Sequence, residues 1–347
     1  MNRYYICDTT SRSGIARYAE DFYRLVLSTL SYEHLLPREL NLSKSEAFPD
    51  DSVFHLELGT SQYLERNALM RLLKHGAKEI NITLHDPPFI TFPSFPFENK
   101  WLARFSRGID WYFGAFGLNY HVLSKCKHIF VLSKQGKELL ENRYRLRNIH
   151  YIPHIISPGG ALDTEQSSLP HDVLFYGFIG PRKGLDYALQ MHSEILKRMP
   201  NIRLHIVGDA TTPSIATYLN KLKARFQRGV TYHGYVREQD LDKIFSAIGH
   251  VILPFQPCKY ACPVSGSVLG SLKRHKIVWT TPVDAIPEII HDRKNGFYLS
   301  LNLQTDVNRF LSILEDGALT EEIRSGVTES LKGFAAESII ETIRRVQ

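Results

Sequence analysis

Residues 174–186 read Leu-Phe-Tyr-Gly-Phe-Ile-Gly-Pro-Arg-Lys-Gly-Leu-Asp. The apolar run 174–179 predicts a strand, and the spaced apolar positions from Leu185 to Arg198 predict a helix. Between them lies a turn carrying Gly180, the adjacent cations Arg182 and Lys183, and Gly184. A strand emptying through glycines into a helix is the opening of a βαβ unit. Two cations beside the free N–H groups of a helix start make an anion site suited to a diphosphate. The spacing is not G-x-x-x-x-G-K-[ST], which excludes a Walker P-loop.

The same grammar continues downstream. Strands are predicted at 202–208, 230–232 and 250–253, with helices at 214–227 and 238–247 between them. A final helix is predicted over 319–346, with Ile323, Val327, Leu331, Ile339 and Ile343 as its apolar positions. Upstream the alternation is already present. Strands are predicted at 3–7, 53–58, 80–84, 128–132 and 149–152, and helices at 15–30, 62–75 and 134–144. Residues 157–171 (SPGGALDTEQSSLPH) break the pattern and read as a linker. The expectation is an α/β chain of two Rossmann-like domains with parallel sheets, residues 1–157 and 172–330 joined by 158–171, with a closing helix at 331–347 that packs back toward the first domain.

Composition agrees with this. A chain of 347 residues, 43% hydrophobic and 22% charged, suits two domains with a core each and excludes long disorder. No run of eighteen apolar residues predicts a transmembrane helix, and the N-terminus lacks the apolar segment of a signal peptide. Four scattered Cys form no disulfide framework and fit a reducing cytoplasm. Cys258 and Cys262, without a nearby His, make no zinc site. The net charge of +6 is local. Residues 100–157 hold 10 Lys and Arg against 3 Asp and Glu, and Trp101, Phe105, Trp111, Tyr112 and Phe116 are interleaved there.

Three further segments carry chemistry. After the first strand, Ser13 and Gly14 form a strand-to-helix turn that lets a ligand approach the backbone. Only one glycine is present, so the dinucleotide fingerprint is absent. His85, in Leu84-His85-Asp86-Pro87-Pro88, falls at the C-terminal end of a predicted strand, where open α/β sheets bind ligands. It is placed to exchange a hydrogen bond with a sugar hydroxyl or a reacting oxygen. Pro263-Val264-Ser265-Gly266-Ser267-Val268 precedes an apolar helix, so Ser265 or Ser267 is a candidate cap with neighbouring N–H groups for a phosphate.

In this order the segments resemble the retaining glycosyltransferases of family 4, which have the GT-B architecture. Ser13 through Ala19 resembles the family's first glycine loop, and Gly177 through Asp186 its G-F-I-x-P-x-K-G-L-D donor-domain opening. Ile129 to Lys134, Ile206-Val207-Gly208, Ile286 to Ile290 and Asn295-Gly296-Phe297 follow the family order. The resemblance implies two Rossmann-like domains facing across a cleft, a nucleotide-diphosphate sugar (UDP- or GDP-sugar) held mainly by the C-terminal domain, and a glycan or lipid-linked glycan acceptor on the N-terminal one. It implies retention by same-face attack, with Lys183 on the diphosphate, Arg182 adding charge, and His85 at the catalytic site. Gly14, Ser13, Gly180, Ser265, Gly266, Ser267 and Val268 would line the donor. No metal and no cofactor is expected.

Two departures qualify the resemblance. The family's arginine after the glycine is Phe178 here, and its paired glutamates of the E-x7-E pattern fall at Cys262 and Gly270. Their loss motivates an alternative, a catalytically weak GT-B protein acting as partner or regulator of a glycan-assembly enzyme. The basic aromatic stretch carries no nucleic-acid module, which argues against that partner. Two uses stay open for it, filling the N-terminal core or meeting an anionic surface at the inner face of the cell membrane, with the protein otherwise cytoplasmic.

Overall fold

The computed structural model describes residues 2–346 apart from 12, 41–47, 50, 93–99, 114–117, 158–170 and 260. The chain divides into two compact units. Unit 1 comprises Met1–Ser157, Lys259–Val264 and Phe334–Gln347, and unit 2 comprises Pro158–Cys258 and Ser265–Gly333. The expected linker at 158–171 lies, but for His171, outside the described residues.

Unit 1 runs β1 (Arg3–Ile6), α1 (Gly14–Phe22), β2 (Tyr32–Leu35), β3 (Val53–Leu58), α2 (Tyr63–Lys74), β4 (Glu79–Leu84), α3 (Lys100–Phe113), α4 (Leu118–Leu123), β5 (His128–Val131), α5 (Lys134–Tyr144) and β6 (Ile149–Tyr151). Its six strands are parallel in the order β2-β1-β3-β4-β5-β6. All six residues of β3 are buried, as expected of a parallel strand covered on both faces. One apolar layer gathers Leu56, Leu69, Ile82 and Leu140, and another gathers Tyr5, Phe22, Val26 and Phe130.

Unit 2 runs β7 (Asp172–Tyr176), α6 (Leu185–Ile195), β8 (Leu204–Val207), α7 (Pro213–Arg225), β9 (Val230–Gly234), α8 (Glu238–Phe245), β10 (Ile248–Leu253), α9 (Gly266–Leu272), β11 (Ile277–Thr280), β12 (Gly296–Tyr298), α10 (Leu303–Glu315) and α11 (Gly317–Leu331). Its sheet is also six-stranded and parallel, in the order β12-β11-β10-β7-β8-β9. Trp279 lies fully buried against Phe297, with ring centroids 4.4 Å apart.

Three elements differ from expectation. The first helix ends at Phe22 rather than Leu30, continuing as a π turn over Tyr23–Leu27 and a 3-10 turn over Ser28–Leu30. Hydroxyls do this: Ser28 donates to the Arg24 carbonyl and Thr29 to that of Val26, in competition with the helix ladder. The expected strand 174–179 stops at Tyr176, because Gly177 has φ +130 and turns the chain. The expected helix 319–346 is two. Helix α11 ends at Leu331, a 3-10 turn spans Lys332–Phe334, and α12 (Ala336–Val346) follows. Ile323 and Val327 of α11 lie in unit 2, whereas Ile339 and Ile343 of α12 complete the core of unit 1 beside Phe22 and Val26.

Candidate functional site

In a doubly wound sheet, ligands bind beyond the C-terminal strand ends where the strand order reverses. In unit 2 that point lies between β7 and β10. The loops after β7, β8 and β10 are packed there backbone to backbone. Gly177 N–H donates to the Val207 carbonyl at 2.9 Å, and Gly208, at φ +148, lies so close to the Gly177 carbonyl that no side chain fits. Gly184, at φ +72, lies in the same way against the Pro254 carbonyl. Only glycine combines these left-handed conformations with such close approach.

This packing fixes the cations. Pro181–Lys183 form a 3-10 turn, and the Arg182 carbonyl accepts from Gln256 N–H at 2.9 Å. The Lys183 ammonium stands 4.6 Å from the centre of the Phe255 ring. Asp284, which the sequence reading missed, accepts from Cys258 N–H at 2.9 Å. Burial pushes its carboxyl up, opposed by that hydrogen bond and by the charges of Arg182 and Lys183. No motif marks Asp284; its signal is the φ of +51, a conformation that Asp tolerates better than most residues.

The Ser265–Val268 segment divides in role. Ser265 is the N-cap of α9, its hydroxyl accepting from Val268 N–H at 3.4 Å, which is the structural use of such a serine. Ser267 lies against Gly177, where its hydroxyl fills the place of the missing side chain. Gly180, Arg182, Lys183, Gly266, Ser267 and Val268 are therefore gathered on one edge of unit 2. Phe178, where the resembled family has arginine, is exposed.

The two positions where the resembled family has glutamate fall in different units. Cys262 belongs to unit 1, where its N–H donates to the Pro87 carbonyl and its thiol to Gln135 Oε1 at 3.1 Å. Gly270 belongs to unit 2, and a β-carbon there would stand 3.2 Å from the Tyr176 ring. A side chain at 270 would require the Tyr176 ring to give by a few tenths of an ångström.

In unit 1 the strand order reverses at β1. Ser13 caps α1, accepting from Ala16 N–H at 3.0 Å. A β-carbon on Gly59, after β3, would stand 2.5 Å from Ile15 and 3.4 Å from His85 Cβ. The Gly14 turn, Gly59 and His85 thus meet at one sheet edge. Asp86 is locked beside them, its Oδ2 accepting from Thr60 N–H and hydroxyl at 2.8 and 2.9 Å.

His85 is 8% exposed. Its Nε2 lies 2.8 Å from Oε2 of Glu57, a fully buried carboxylate on β3. The Tyr5 hydroxyl donates to Oε1 of the same carboxylate at 2.9 Å. Tyr18 of α1 stands edge-on to both His85 and His154, with centroids 4.7 Å away in each case. The Tyr18 hydroxyl is buried without a hydrogen-bond partner among the described residues. Sequence reading found His85 and missed Glu57, because a single acidic residue in VFHLEL reads as one polar position in a strand.

Among the described residues, no group of three His, Cys, Asp or Glu is placed to hold a metal ion, and no helix is long and apolar enough to cross a membrane. Helix α3 carries an exposed apolar row at Trp101, Leu102, Phe105, Ile109 and Tyr112. The expected set included Trp111, whose side chain lies outside the described residues, and Phe116, which does too.

Comparison with known proteins bears on the second unit above all. Residues 170–316 match the family model described as glycosyl transferases, group 1. Over 92 residues the chain is 30% identical to the GDP-mannose:glycolipid 4-beta-D-mannosyltransferase of Xanthomonas campestris pv. campestris, a match covering 26% of either protein. Among solved structures, sucrose-phosphate synthase from Thermosynechococcus elongatus superposes with a TM-score of 0.74 at 12% identity, covering 100% of this chain and 98% of that one. Anabaena Alr3699/HepE in complex with UDP gives 0.66 at 14% identity, covering 99% of each. TarM gives 0.63 at 15% identity over 86% of this chain, which spans only 55% of TarM. At these identities the likeness is one of fold: two parallel six-stranded sheets with helices, the GT-B arrangement.

Proposed function

We propose that the chain is a glycosyltransferase that moves a sugar from a nucleotide-diphosphate donor to a hydroxyl of a glycan or lipid-linked glycan, in the building of cell-surface polysaccharide or glycoconjugate. The observation that carries this reading is the unit 2 loop edge. There Arg182 and Lys183 stand beside the glycine-packed loops after β7, β8 and β10, within the segment that matches the glycosyltransferase family. Breaking a glycosyl–phosphate bond puts negative charge on the leaving diphosphate, and fixed cations and N–H dipoles stabilise it. Lys183 and Arg182 meet that charge, assisted by the N–H groups about Gly180 and Ser265–Ser267. UDP is bound by the Anabaena structure and GDP-mannose is the donor named for the Xanthomonas relative, which supports a UDP- or GDP-sugar.

Unit 1 receives the acceptor near the Gly59–His85 edge, and the Ser13–Gly14 turn serves the donor, as the family resemblance implies. Retention, by same-face attack, is the outcome that the family resemblance carries. The apolar row of α3, on a helix whose sequence also carries Lys100, Arg104 and Arg107 against a single acidic residue, Asp110, suits an anionic bilayer surface. Docking there at the inner face of the cell membrane would bring a lipid-linked acceptor to the protein.

A thermal-shift panel of UDP, GDP, ADP and TDP tests the reading. One diphosphate is expected to raise the melting temperature, and silence from all four at millimolar concentration overturns it. Binding without transfer or hydrolysis of any matched donor would favour the second reading, a non-catalytic partner of a glycan-assembly enzyme, which the absence of glutamate at Cys262 and Gly270 supports.

A further inference from the structure

Helix α9 closes in a turn set by His275, whose backbone is left-handed at φ +54. His275 N–H donates to the Leu272 carbonyl at 2.8 Å, and Lys276 N–H to that of Ser271 at 3.1 Å. These are the two bonds of a Schellman motif, in which the residue at the place of Lys276 is commonly apolar and packs back over the last helical turn. Here that place holds a lysine. Lys276 is half-buried and immediately precedes β11, so it lies at the N-terminal edge of the unit 2 sheet, opposite the edge that carries Lys183.

The acids around this turn are committed to other cations. Glu238 Oε1 takes Arg274 at 2.7 Å and Lys273 at 3.0 Å, Asp242 takes Arg274 at 2.7 Å, and Glu321 takes Arg324 at 3.0 Å. Among the described residues, no carboxylate pairs with the Lys276 ammonium. Helix α11 lies against the turn, with the Thr328 hydroxyl 3.1 Å from His275 Nδ1, and Arg324 stands one helical turn before Thr328. The charges acting on Lys276 are thus both positive, Arg324 from α11 and Arg274 from the turn. Burial and these two charges push its ammonium down to about 8. The neighbouring imidazoles add no counter-charge. His275 is pushed down by burial, Arg324 and Lys276, and His250 of β10 is pushed down to about 3 by burial, His171 and Lys276.

We propose that Lys276, unpaired among the cations of this turn, is the lysine of the chain that acyl phosphates modify fastest. This chemistry goes beyond glycosyl transfer and does not depend on it. The neutral Nζ lone pair forms a bond to the acyl carbon. The bond from that carbon to the phosphate oxygen breaks, its electron pair leaving with the phosphate, and the proton released from Nζ goes to solvent. The guanidinium groups of Arg274 and Arg324 attract the phosphate of the reagent. The product is an uncharged amide, so the reaction removes one positive charge from a cluster that has too many. Lys273, three positions earlier, is held as an ammonium by Glu238 and offers no free lone pair.

Incubation of the full chain with acetyl phosphate at pH 8 tests this, with the rate at each lysine read by mass spectrometry of peptides cut at glutamate. An amine at about 8 is half neutral there, against about 0.4% for an ordinary lysine. After allowance for the weaker nucleophile, Lys276 is expected to react about tenfold faster than Lys273 and the exposed Lys197. Equal rates at the three overturn the proposal. The rate at Lys276 is expected to level off above pH 8 while that at Lys273 still rises at pH 10, and parallel profiles overturn it. In concentrated urea the preference is expected to vanish; a preference that persists belongs to local sequence and overturns the part given to the fold. Arg324→Gln, in protein shown to be folded by its melting transition, removes the like charge on α11 and is expected to slow acylation at Lys276 several-fold. An unchanged or faster rate in that variant removes Arg324 from the account.

Discussion

Gly208 meets Gly177 backbone to backbone, and a β-carbon on Gly208 would overlap the Gly177 carbonyl oxygen. The contact joins the loops after β7 and β8 at the edge where Lys183 is held. Gly208→Ala is therefore expected to strain a φ of +148 and to push the two loops apart. The strain alone costs about 1–3 kcal/mol, and the overlap adds to it. Calorimetry should show a lower melting temperature for the variant, and nucleotide binding should weaken with it. A variant that melts and binds like the wild type would show that the loops separate freely.

Lys183→Ala should abolish the thermal shift given by whichever nucleoside diphosphate binds. At a hundredfold excess over Kd the wild-type stabilisation is about 2.7 kcal/mol, large enough for its loss to be plain. Arg182→Ala should leave a reduced shift, because Arg182 is held chiefly through its backbone carbonyl. Equal shifts in all three proteins would remove Lys183 from the diphosphate.

Trp101 is 79% and Phe105 69% exposed, so replacing both with Glu should leave the melting temperature within about 1 °C, as surface changes do. Pelleting with vesicles rich in phosphatidylglycerol should lose at least about tenfold in affinity, a change of 1.4 kcal/mol. Undiminished pelleting would exclude the apolar row of α3 as the contact.

Burial lowers three histidines far below their ordinary value: His55 and His154 in unit 1 to about 4, and His250 in unit 2 to about 3. Between these values and 6.5 the unfolded chain binds more protons than the folded one, so stability falls as the pH drops. The contribution is complete above about pH 6.5 and is lost progressively toward pH 4. Urea midpoints measured at unit pH steps should decline through this window in both units. A flat profile from pH 7 to 4 would mean that these rings are solvated.

Much of the architecture was legible because parallel strands buried on both faces are nearly continuous apolar words, such as VFHLEL in β3 and HVIL in β10. What escaped was decided by neighbours distant in sequence. Strand β2 contains Glu33 and His34 and forms only because β1 lies beside it. The break at Lys332–Phe334 is hidden inside an unbroken helical period. At the candidate sites, glycines, cations and His85 announce themselves by type and spacing. Glu57 and Asp284 do not, since one is a lone polar residue in a strand and the other a turn residue. Their partners, Tyr5 at a distance of 52 positions and Cys258 at 26, are supplied by the fold alone.

The placement of α12 has a consequence for how the protein is made. Unit 1 draws on three separate stretches of chain, the last beginning at Phe334, whereas unit 2 ends at Gly333. On the ribosome, the unit begun first is therefore the one finished last. Its core lacks Ile339 and Ile343 until α12 emerges, by which time unit 2 has its whole sequence available. Until α12 arrives, the apolar surface around Phe22 and Val26 is left uncovered in the nascent chain. A stop codon near residue 333 would spare unit 2 and leave the unit bearing His85 and Glu57 open, so the intactness of that site depends on a segment made after the whole of unit 2.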